Sequence, residues 1–472
     1  MAYCRPFNLM RRVPARPRRE TCLSFSSKDT TAAVRATQQP VKNRQKKRDR
    51  RPTRAGDLSW EDRLASVVTP LWRLTYDEQL EVKQKHQEKI LEQLCDGGKI
   101  TFPVLPILPS PVRDGYRNKT TFSVNRGVDG NPKTVGFYVG KGKDGNIVCV
   151  NGDHLPNMPE KHKQVAGRYQ EFIRRSSLEP CLLLHDGGHW REVTVRTDAA
   201  GNTMAIVYFH PQGLSREEVA AQREDLAEFF ASGPGSACEL DSLYFQESAV
   251  TRCTREDSPY QLLFGHSHIY EQMLGFSFRI SPDAFFQVNR SAAGVLYSAV
   301  RDLCVPDRED GSGTLLDVCC GTGAMGITAS PRVRRLVGVE LVEQAVEDAR
   351  HNAALNRLHK CRFVAGKAEA VLPDLVSQLG SEDGRLVAVV NPSRAGLHHR
   401  VIRALRSQPA IRRLVYVSCK PEGEAMRNFR ELCCAADPAR KLQGDAFSPS
   451  LAVPVDMFPH TEHCELVILF ER

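Results

Sequence analysis

Cys419 follows a four-residue apolar run, Leu414–Val417, and precedes Lys420 and Pro421. The apolar run is typical of a buried strand, and the proline forces the chain to turn out of the sheet. The pattern therefore predicts a thiol at a sheet edge beside a cation. A nearby positive charge lowers the pKa of a thiol and favours the nucleophilic thiolate. On spacing alone a second interpretation stays open, in which Cys419 is an inert structural cysteine, one of fifteen cysteines in the chain.

A glycine-containing turn, Asp317–Gly326, comes at the end of another apolar run. Glycines at a strand-to-helix turn let the backbone approach a ligand closely. The next apolar run ends in Glu340, and an acid at that place can bind both hydroxyls of an adenosine ribose. The turn has neither a dinucleotide fingerprint nor a P-loop ending. It therefore favours S-adenosylmethionine, which carries adenosine but no phosphate; the alternative is that Glu340 only complements a helix dipole.

Three further polar segments lie at strand ends or lead into the last strand: Asn391–Gly396, Val417–Pro421 and Phe458–Glu465. Open α/β sheets bind ligands at the carboxyl ends of their parallel strands. We therefore expect these segments to meet at the edge that carries the Asp317–Gly326 turn.

The chain resembles the RNA uracil-5-methyltransferase family in five motifs that occur in family order. They are Phe285–Asn289, Asp317–Gly326, Asn391–Gly396, Ser418–Pro421 and Phe458–Glu465. Arg117–Lys119 and Gly136-Phe137 extend the likeness towards the N-terminus. The resemblance implies methylation of uridine C5 in RNA with S-adenosylmethionine. It implies the tRNA T-loop as the first substrate and a mitochondrial ribosomal RNA uridine as the second.

The resemblance also implies roles for individual residues. Uracil C5 is too weak a nucleophile to take a methyl group unaided, so a thiolate must first add to C6 and a base must later remove the C5 proton. The nucleophile is assigned to Cys419 and the proton acceptor to Glu465. Arg394 is expected to contact or orient the RNA or the loop that carries the nucleophile. The residues assigned to the cofactor are Gln287, Asp317, Gly321, Gly323, Glu340 and Asn391.

Two positions depart from the family pattern. Asn391 stands where many members have aspartate, and its amide can hydrogen-bond but cannot act as a carboxylate. Lys420 stands where most members have asparagine. This lysine is a cation that can lower the pKa of Cys419 further or alter base recognition.

Two other functions stay open. RNA cytosine-5 methylation also needs a cysteine that adds to C6, but its families usually pair two cysteines, and Ser393 occupies the second motif here. A non-catalytic RNA-folding protein has no need of a Cys419/Glu465 pair.

The elements that must position these residues follow two patterns. Short alternating segments from Tyr116 to about Tyr208 predict a mainly antiparallel sheet. From about residue 285, apolar strands alternate with helical stretches, which predicts a doubly wound, Rossmann-like α/β fold. The segment after Asp445–Pro459 is expected to join this sheet as an antiparallel strand. The predicted domains are a tail (1–54), a mixed β/α RNA-binding module (55–284) and a methyltransferase domain (285–472).

Cations alternate with aromatic residues at the start of the antiparallel region. The residues are Arg113, Tyr116, Arg117, Lys119 and Phe122. The combination suits phosphate contact together with stacking on unpaired bases. We therefore take Arg113, Arg117 and Lys119 as candidate RNA contacts, with a solvated strand face as the alternative.

The excess positive charge lies in the first 54 residues. This segment has 16 Lys or Arg against 3 Asp or Glu, so the rest of the chain, whose total is +9, carries a net charge of −4. Residues 1–19 contain six arginines and no acid, which is typical of an organelle transit peptide and predicts a mitochondrial matrix protein. The run Lys42–Arg54 equally suits a nuclear signal or a phosphate-binding arm.

Composition and residue spacing also bear on membrane insertion, on the cellular compartment and on metal binding. No run approaches the roughly 18 apolar residues of a membrane span, so a transmembrane protein is excluded. The cysteines have no regular spacing, which favours a reducing compartment. No C-x-x-C occurs, so no iron–sulfur cluster is expected. His460, His463 and Cys464 are poorly spaced for zinc, so no metal site is predicted; a monomer is expected.

Overall fold

The computed structural model describes residues 58–95, 98–140, 147–182, 187–249, 258–306, 313–383 and 385–472. Residues 59–472 form one unit, in which the described residues build two seven-stranded sheets and a two-stranded hairpin. Residues 1–54, with the expected transit peptide and the run Lys42–Arg54, lie outside the described residues. No helix in the described ranges is long and apolar enough to cross a membrane.

The first sheet lies in the N-terminal half. Its strands are β1 (Lys119–Asn125), β2 (Thr134–Val139), β3 (Val148–Val150), β4 (Trp190–Thr197), β5 (Thr203–Phe209), β6 (Ser242–Glu247) and β7 (Gln261–Gly265). Their order is β3-β2-β1-β4-β5-β6-β7, and only the β5–β6 pair is parallel. The alternating pattern in the sequence had predicted this mainly antiparallel sheet, and the prediction is confirmed.

The helices of the N-terminal half are α1 (Trp60–Val68), α2 (Tyr76–Glu92), α3 (Glu160–Arg175) and α4 (Arg216–Ala231). Helix α2 buries Ile90 and Leu91 in a cluster with residues of the C-terminal half. A capping box at Thr75 and Glu78 starts α2, since each partner satisfies a backbone N–H of the other. Side chains of α3 and α4, such as Tyr169 and Leu226, are buried with Phe122 of β1 in one hydrophobic cluster. One face of the sheet is therefore covered by α3 and α4.

A hairpin of β8 (Ile269–Met273) and β9 (Phe276–Ile280) comes next, and the C-terminal sheet follows it. The strands of that sheet are β10 (Thr314–Val318), β11 (Arg335–Glu340), β12 (Cys361–Ala365), β13 (Leu386–Val390), β14 (Ile411–Ser418), β15 (Ser448–Val455) and β16 (Glu465–Glu471). The helices are α5 (Arg290–Cys304), α6 (Ala324–Ala329), α7 (Glu343–Leu355), α8 (Ala368–Asp383), α9 (His399–Ser407) and α10 (Glu424–Cys433).

The strand order of this sheet is β12-β11-β10-β13-β14-β16-β15. Strands β10 to β14 pair in parallel, and β16 joins β14 antiparallel as expected. Leu315 and Leu316, which are neighbours on β10, belong to two different buried clusters. Both faces of the sheet are therefore covered, which explains why its strands read as continuous apolar runs. The predicted doubly wound α/β fold is confirmed.

Strand β15 was not predicted, because the segment Asp445–Pro459 was interpreted as a loop. Pro449 and Pro454 lie within the strand, and proline cannot donate a ladder hydrogen bond. The structure accommodates both because β15 is the last strand of the sheet. The segment Val104–Leu108 covers its outer edge and forms hydrogen bonds of 2.9 Å between Leu105 and Ala452 and between Leu108 and Pro454.

One hydrophobic cluster connects the two sheets. It includes Ile206 of β5, Phe278 of β9, Leu296 of α5 and Val415 of β14. Arg279 of β9 also forms an ion pair of 2.6 Å with Asp348 of α7. The predicted boundary at residues 284/285 falls in the loop between β9 and α5, and it stays a prediction.

Candidate active site

The turn after β10 has an unusual backbone conformation. Cys319, Gly321 and Gly323 have φ angles of 63°, 54° and 78°, in the left-handed region that favours glycine. A Cβ on Gly323 would lie 3.1 Å from the side chains of Ala349 and Phe363, so the turn packs tightly on that side. A Cβ on Gly321 would meet nothing within 4 Å. The backbone at Gly321 is therefore open to a ligand.

Two carboxylates flank this turn. Glu340 accepts hydrogen bonds from the amides of Gly321 (2.9 Å) and Leu341 (2.8 Å), which holds it at the end of β11. Asp317 is buried, and its Oδ2 accepts a hydrogen bond of 2.9 Å from Gly326 while its Oδ1 has no hydrogen-bond partner. Burial raises the pKa of Asp317 to about 7. A buried acceptor without a protein partner is an expected feature of a site that binds a polar ligand.

Two other predicted cofactor residues lie on loops outside this turn. Gln287 is buried, and its backbone carbonyl accepts a hydrogen bond of 2.9 Å from the side-chain amide of Asn118. Asn391 follows β13, and its backbone amide donates a hydrogen bond of 3.2 Å to the carbonyl of Val318. This bond joins the ends of β13 and β10. The cofactor candidates on β10, β11 and β13 thus lie at the carboxyl ends of adjacent parallel strands.

Cys419, Arg394 and Glu465 come together near the end of β14. Cys419 is partly buried, directly after the last residue of β14. The side chain of Arg394 and the charge of Glu465 both act on the thiol of Cys419, in opposite directions. Glu465 begins β16, the antiparallel neighbour of β14. The arrangement places a nucleophile, a cation and a carboxylate around one point.

The carboxylate of Glu465 is buried, and its Oε2 has no hydrogen-bond partner. Burial raises the pKa of Glu465 to about 7, and the positive charge of Arg394 opposes this rise. A carboxylate with a pKa near neutrality can both accept and release a proton under physiological conditions. Glu465 therefore has the properties of a general base.

The expectation that Lys420 lowers the pKa of Cys419 is wrong, whereas an effect of Lys420 on base recognition stays a prediction. Lys420 is exposed, and the cation that acts on Cys419 is Arg394. Burial and the nearby Glu465 raise the pKa of the Cys419 thiol, although Arg394 opposes the rise. The reason is that a thiolate loses hydration when it is partly buried, and a lysine directed into solvent compensates little of that loss.

Among the candidate RNA contacts, Arg394 lies beside the thiol of Cys419, whereas Arg113, Arg117 and Lys119 belong to the N-terminal half of the chain. Arg113 lies over the ring of Tyr76 at 4.2 Å. Arg117 and Lys119 line a cavity of about 320 Å³ on the first sheet. Burial lowers the pKa of Lys119 to about 8. Within the part of the chain that the structure describes, neither residue forms an ion pair with a carboxylate, so both can receive an anionic ligand.

The aromatic residues of the same stretch do not have the expected exposure. Tyr116 and Phe122 are 6% and 2% exposed, so neither ring is available to stack on an unpaired base. Phe122 packs against Phe137 in the core of the first sheet. Tyr116 and Phe122 therefore belong to the packed interior and do not form a stacking platform.

The residues considered for zinc have other partners. His460 binds Asp114 through Nε2 at 2.7 Å and Gln79 through Nδ1 at 3.3 Å. Cys464 is buried, and its thiol donates to the carbonyl of Val455 at 3.3 Å. Among the described residues, no group of three or more His, Cys, Asp or Glu is arranged to hold a metal ion.

Sequence reasoning missed two residues of this region. Burial raises the pKa of the Tyr297 phenol on α5, and the charges of Asp317 and Glu465 raise it further. His463 lies beside Arg394, and burial together with that positive charge lowers the pKa of its imidazole. A histidine two residues before Glu465 was visible in the last motif, but no sequence spacing connects Tyr297 with this site.

Comparison with known proteins agrees with this site. A family model described as "Methyltransferase domain" matches residues 315–407, which include the glycine turn and Glu340. The chain is 61% identical to tRNA (uracil-5-)-methyltransferase homolog B of Danio rerio over 93% of this chain and 92% of that protein. It is 55% identical to homolog B of Homo sapiens, over 90% of this chain and 87% of that protein.

A solved structure is also similar. It is the tRNA (uracil-54, C5)-methyltransferase of Pyrococcus abyssi in complex with S-adenosyl-L-homocysteine, with a TM-score of 0.62 and 26% identity over 86% of each chain. The bound compound is the demethylated product of S-adenosylmethionine. Together with the methyltransferase domain and the open glycine turn, it establishes the cofactor. The chain therefore belongs to the tRNA (uracil-5-)-methyltransferase family, and it is an S-adenosylmethionine-dependent enzyme.

Proposed function

We propose that this enzyme methylates C5 of a uridine in tRNA through a covalent adduct on Cys419. The observation that carries the proposal is the buried carboxylate of Glu465, whose Oε2 has no partner and which lies beside the thiol. A buried carboxylate without a partner costs stability, so its presence in a folded protein points to a functional role. Here the substrate supplies a proton.

The residues act in a fixed order. The thiolate of Cys419 adds to C6, and the ring becomes an enolate with a nucleophilic C5. When C5 has bonded to the methyl group, Glu465 takes the C5 proton. The electrons of the broken C–H bond form the C5–C6 double bond, and the bond from C6 to sulfur breaks. The thiolate of Cys419 is thereby regenerated.

S-adenosylmethionine, when bound, supplies an electrophilic methyl group on a sulfonium. Its polar groups fit the open turn, since the Oδ1 of Asp317 has no partner and Gly321 leaves space beside the backbone. Glu340 uses its oxygens for backbone amides but keeps lone-pair capacity for a ribose hydroxyl. The residues that would hold the cofactor are Gln287, Asp317, Gly321, Gly323, Glu340 and Asn391.

The names of the relatives support tRNA as the substrate, and the Pyrococcus enzyme is described as acting on uracil 54. We infer the T-loop uridine as the first target and a mitochondrial ribosomal RNA uridine as the second. A base in folded RNA must be flipped out to reach a thiol at a sheet edge. Arg394 would meet the flipped nucleotide, and Arg113, Arg117 and Lys119 would meet flanking phosphates.

The test uses tRNA transcribed with 5-fluorouridine, mixed with the enzyme and S-adenosylmethionine. Fluorine at C5 cannot leave as a proton, so the reaction stalls as an adduct that resists denaturation. Mass spectrometry is expected to locate the linkage on Cys419, and the attached RNA fragment identifies the uridine. A parallel reaction with mitochondrial ribosomal RNA tests the second substrate.

Absence of an adduct, from enzyme shown to bind both cofactor and RNA, contradicts the proposal. Methylation of cytosine in the same RNA would then favour the alternative enzyme class. Ser393 argues against that class, because it occupies the motif where cytosine-5 families usually carry their second cysteine.

We also propose that the enzyme acts in the mitochondrial matrix. The support is the composition of residues 1–19, with six arginines and no acid. Import of the full chain into isolated mitochondria, with removal of an N-terminal segment, is the expected result. A variant with the six arginines changed to glutamine should stay outside, and equal import of that variant contradicts the proposal.

A further inference from the structure

Helix α2 binds the segment Asp456–Cys464, which connects β15 to β16 and leads directly into Glu465. Lys83 of α2 forms an ion pair of 2.5 Å with Asp456, and both side chains are fully buried. The same ammonium group donates a hydrogen bond of 2.9 Å to the carbonyl of Phe458. Lys83 thus holds the segment at its first and third residues.

The place where Lys83 binds is next to the general base. Val455 of β15 is the cross-strand partner of Glu465 in the β15–β16 pair, and Asp456 directly follows Val455. The thiol of Cys464 also donates to the carbonyl of Val455 at 3.3 Å. A shift of Asp456 therefore moves the end of β16 from which the Glu465 side chain extends.

Further contacts connect the Lys83–Asp456 ion pair to the loop that carries the cofactor candidate Gln287. The hydroxyl of Tyr76 donates to Asp456 at 2.9 Å and accepts from the amide of Ser110 at 2.7 Å. The side chain of Asn289 donates to Ser110 at 3.0 Å and also caps α5. Asn289 lies two residues after Gln287, so the same network reaches the cofactor loop.

The middle of the segment is held by α2 as well. Gln79, one turn before Lys83, accepts a hydrogen bond of 2.7 Å from the amide of His460. His460 has a φ of 68°, a conformation that a residue other than glycine keeps only when its surroundings impose it. Helix α2 thus imposes the conformation of the segment at residues 456, 458 and 460.

Stability alone is a poor explanation for the ion pair. A buried ion pair is often no more stabilising than apolar residues of the same volume, because both charges lose their hydration. What it adds is one defined geometry, since any displacement leaves a buried charge unpaired. The geometry points to Lys83 as a positioning residue, which acts through Asp456 and the Phe458 carbonyl to orient Glu465 for removal of the C5 proton. This inference rests on the proposed function.

The test separates adduct formation from proton removal. In Lys83→Met the displaced Glu465 slows removal of the C5 proton but not formation of the adduct. The methylated enzyme–RNA adduct is therefore expected to accumulate on ordinary uridine tRNA. The same accumulation is expected for Glu465→Gln. Since a misplacement of about 1 Å slows catalysis by roughly a hundredfold, kcat is expected to fall by that order while KM stays close to wild type. Adduct formation with 5-fluorouridine tRNA is expected to continue.

A second variant covers the case in which the single variant fails to fold. Lys83→Met with Asp456→Asn removes both charges and leaves no unpaired one, but the Phe458 carbonyl still lacks its donor. This double variant is expected to fold and still accumulate the adduct. The control is Arg413→Met, which removes a partly buried ion pair of 3.1 Å with Glu471 at the other end of β16. It is expected to accumulate no adduct.

The outcomes separate two failures. A folded double variant that turns over like wild type, without adduct on uridine tRNA, overturns the role of Lys83. So does a folded variant that fails to form the 5-fluorouridine adduct, since the defect would then precede proton removal. Wild-type enzyme that forms no 5-fluorouridine adduct overturns the proposed function itself.

Discussion

The carboxylate of Glu340 accepts a hydrogen bond from the amide of Gly321 at 2.9 Å, which places the acid of β11 directly beside the open turn of β10. In Glu340→Gln the negative charge is lost while the size is kept. Because hydrogen bonds to charged groups contribute about 1.5–3 kcal/mol, we expect the dissociation constant for S-adenosylmethionine to rise by roughly 10- to 100-fold. Calorimetric titration measures it. Glu347→Gln, on the exposed side of α7, should bind the cofactor like wild type.

The raised pKa of Glu465, about 7, predicts the pH dependence of turnover. Only the carboxylate form accepts a proton, so its fraction rises with pH and is half at about pH 7. The rate of proton removal is therefore expected to fall as the pH is lowered through 7. Single-turnover methylation across pH 5.5–8.5 measures this. Adduct formation on 5-fluorouridine tRNA does not need the base, and an identical inflection in that step would contradict the assignment.

The raised pKa of Asp317 is expected to make the stability of the folded enzyme depend on pH. Its folded-state pKa, about 7, lies above the ordinary value of 3.8, so the folded state binds the proton more tightly than the unfolded state does. The stabilisation is complete below pH 4 and is lost as the pH rises through 7. Asp317→Asn is expected to reduce the loss of thermal stability between pH 5 and pH 8 in the cofactor-free enzyme. An unchanged slope would show that Asp317 does not titrate in this range.

The charge of Arg394 is expected to control the pH at which the thiol of Cys419 reacts. Its guanidinium lowers the pKa values of Cys419 and Glu465, both of which burial raises. Arg394→Gln is therefore expected to shift the pH profile of 5-fluorouridine adduct formation to higher pH. Lys420→Asn is the matched control, since Lys420 is exposed and does not act on the thiol. A shift in the Lys420 variant alone would reverse this assignment.

The backbone conformation and the close packing at position 323 are expected to require glycine. Its φ is 78°, and a Cβ would lie 3.1 Å from Ala349 and Phe363. Gly323→Ala is expected to lower the free energy of unfolding by about 1–3 kcal/mol. Gly294→Ala lies within α5, where a Cβ meets only Leu274 at 3.9 Å, and it is expected to raise stability by about 0.5–1 kcal/mol. Denaturant unfolding of both variants measures the difference.

Much of the C-terminal sheet could be predicted, because each of its central strands is buried on both faces. Apolar runs such as Leu386–Val390 are visible without any knowledge of their neighbours. The edge strand β15 was missed for the opposite reason, since Pro449 and Pro454 suppress a strand signal that the sheet edge tolerates. The helices α1 and α3 also were not predicted. The buried residues of α3, such as Val165, Tyr169 and Phe172, recur at helical spacing, so this helix was visible in the sequence.

The sequence by itself determined the local parts of the site. These are the left-handed glycine turn after β10, the acid at the end of β11 and the cysteine after β14. Each of them depends on a few consecutive residues, and the family motifs lie in the same places. Short-range steric limits and strand burial act within such windows, so they leave a pattern in the sequence.

The tertiary structure alone decided which distant groups meet. Lys83 and Asp456 are 373 positions apart, and nothing near either residue indicates the other. The cation that acts on Cys419 is Arg394 rather than the adjacent Lys420, and its effect on the thiol depends on the fold. Burial and distance determine these pKa values and ion pairs. Both are properties of the folded chain, because they depend on water exclusion by residues from many parts of the sequence.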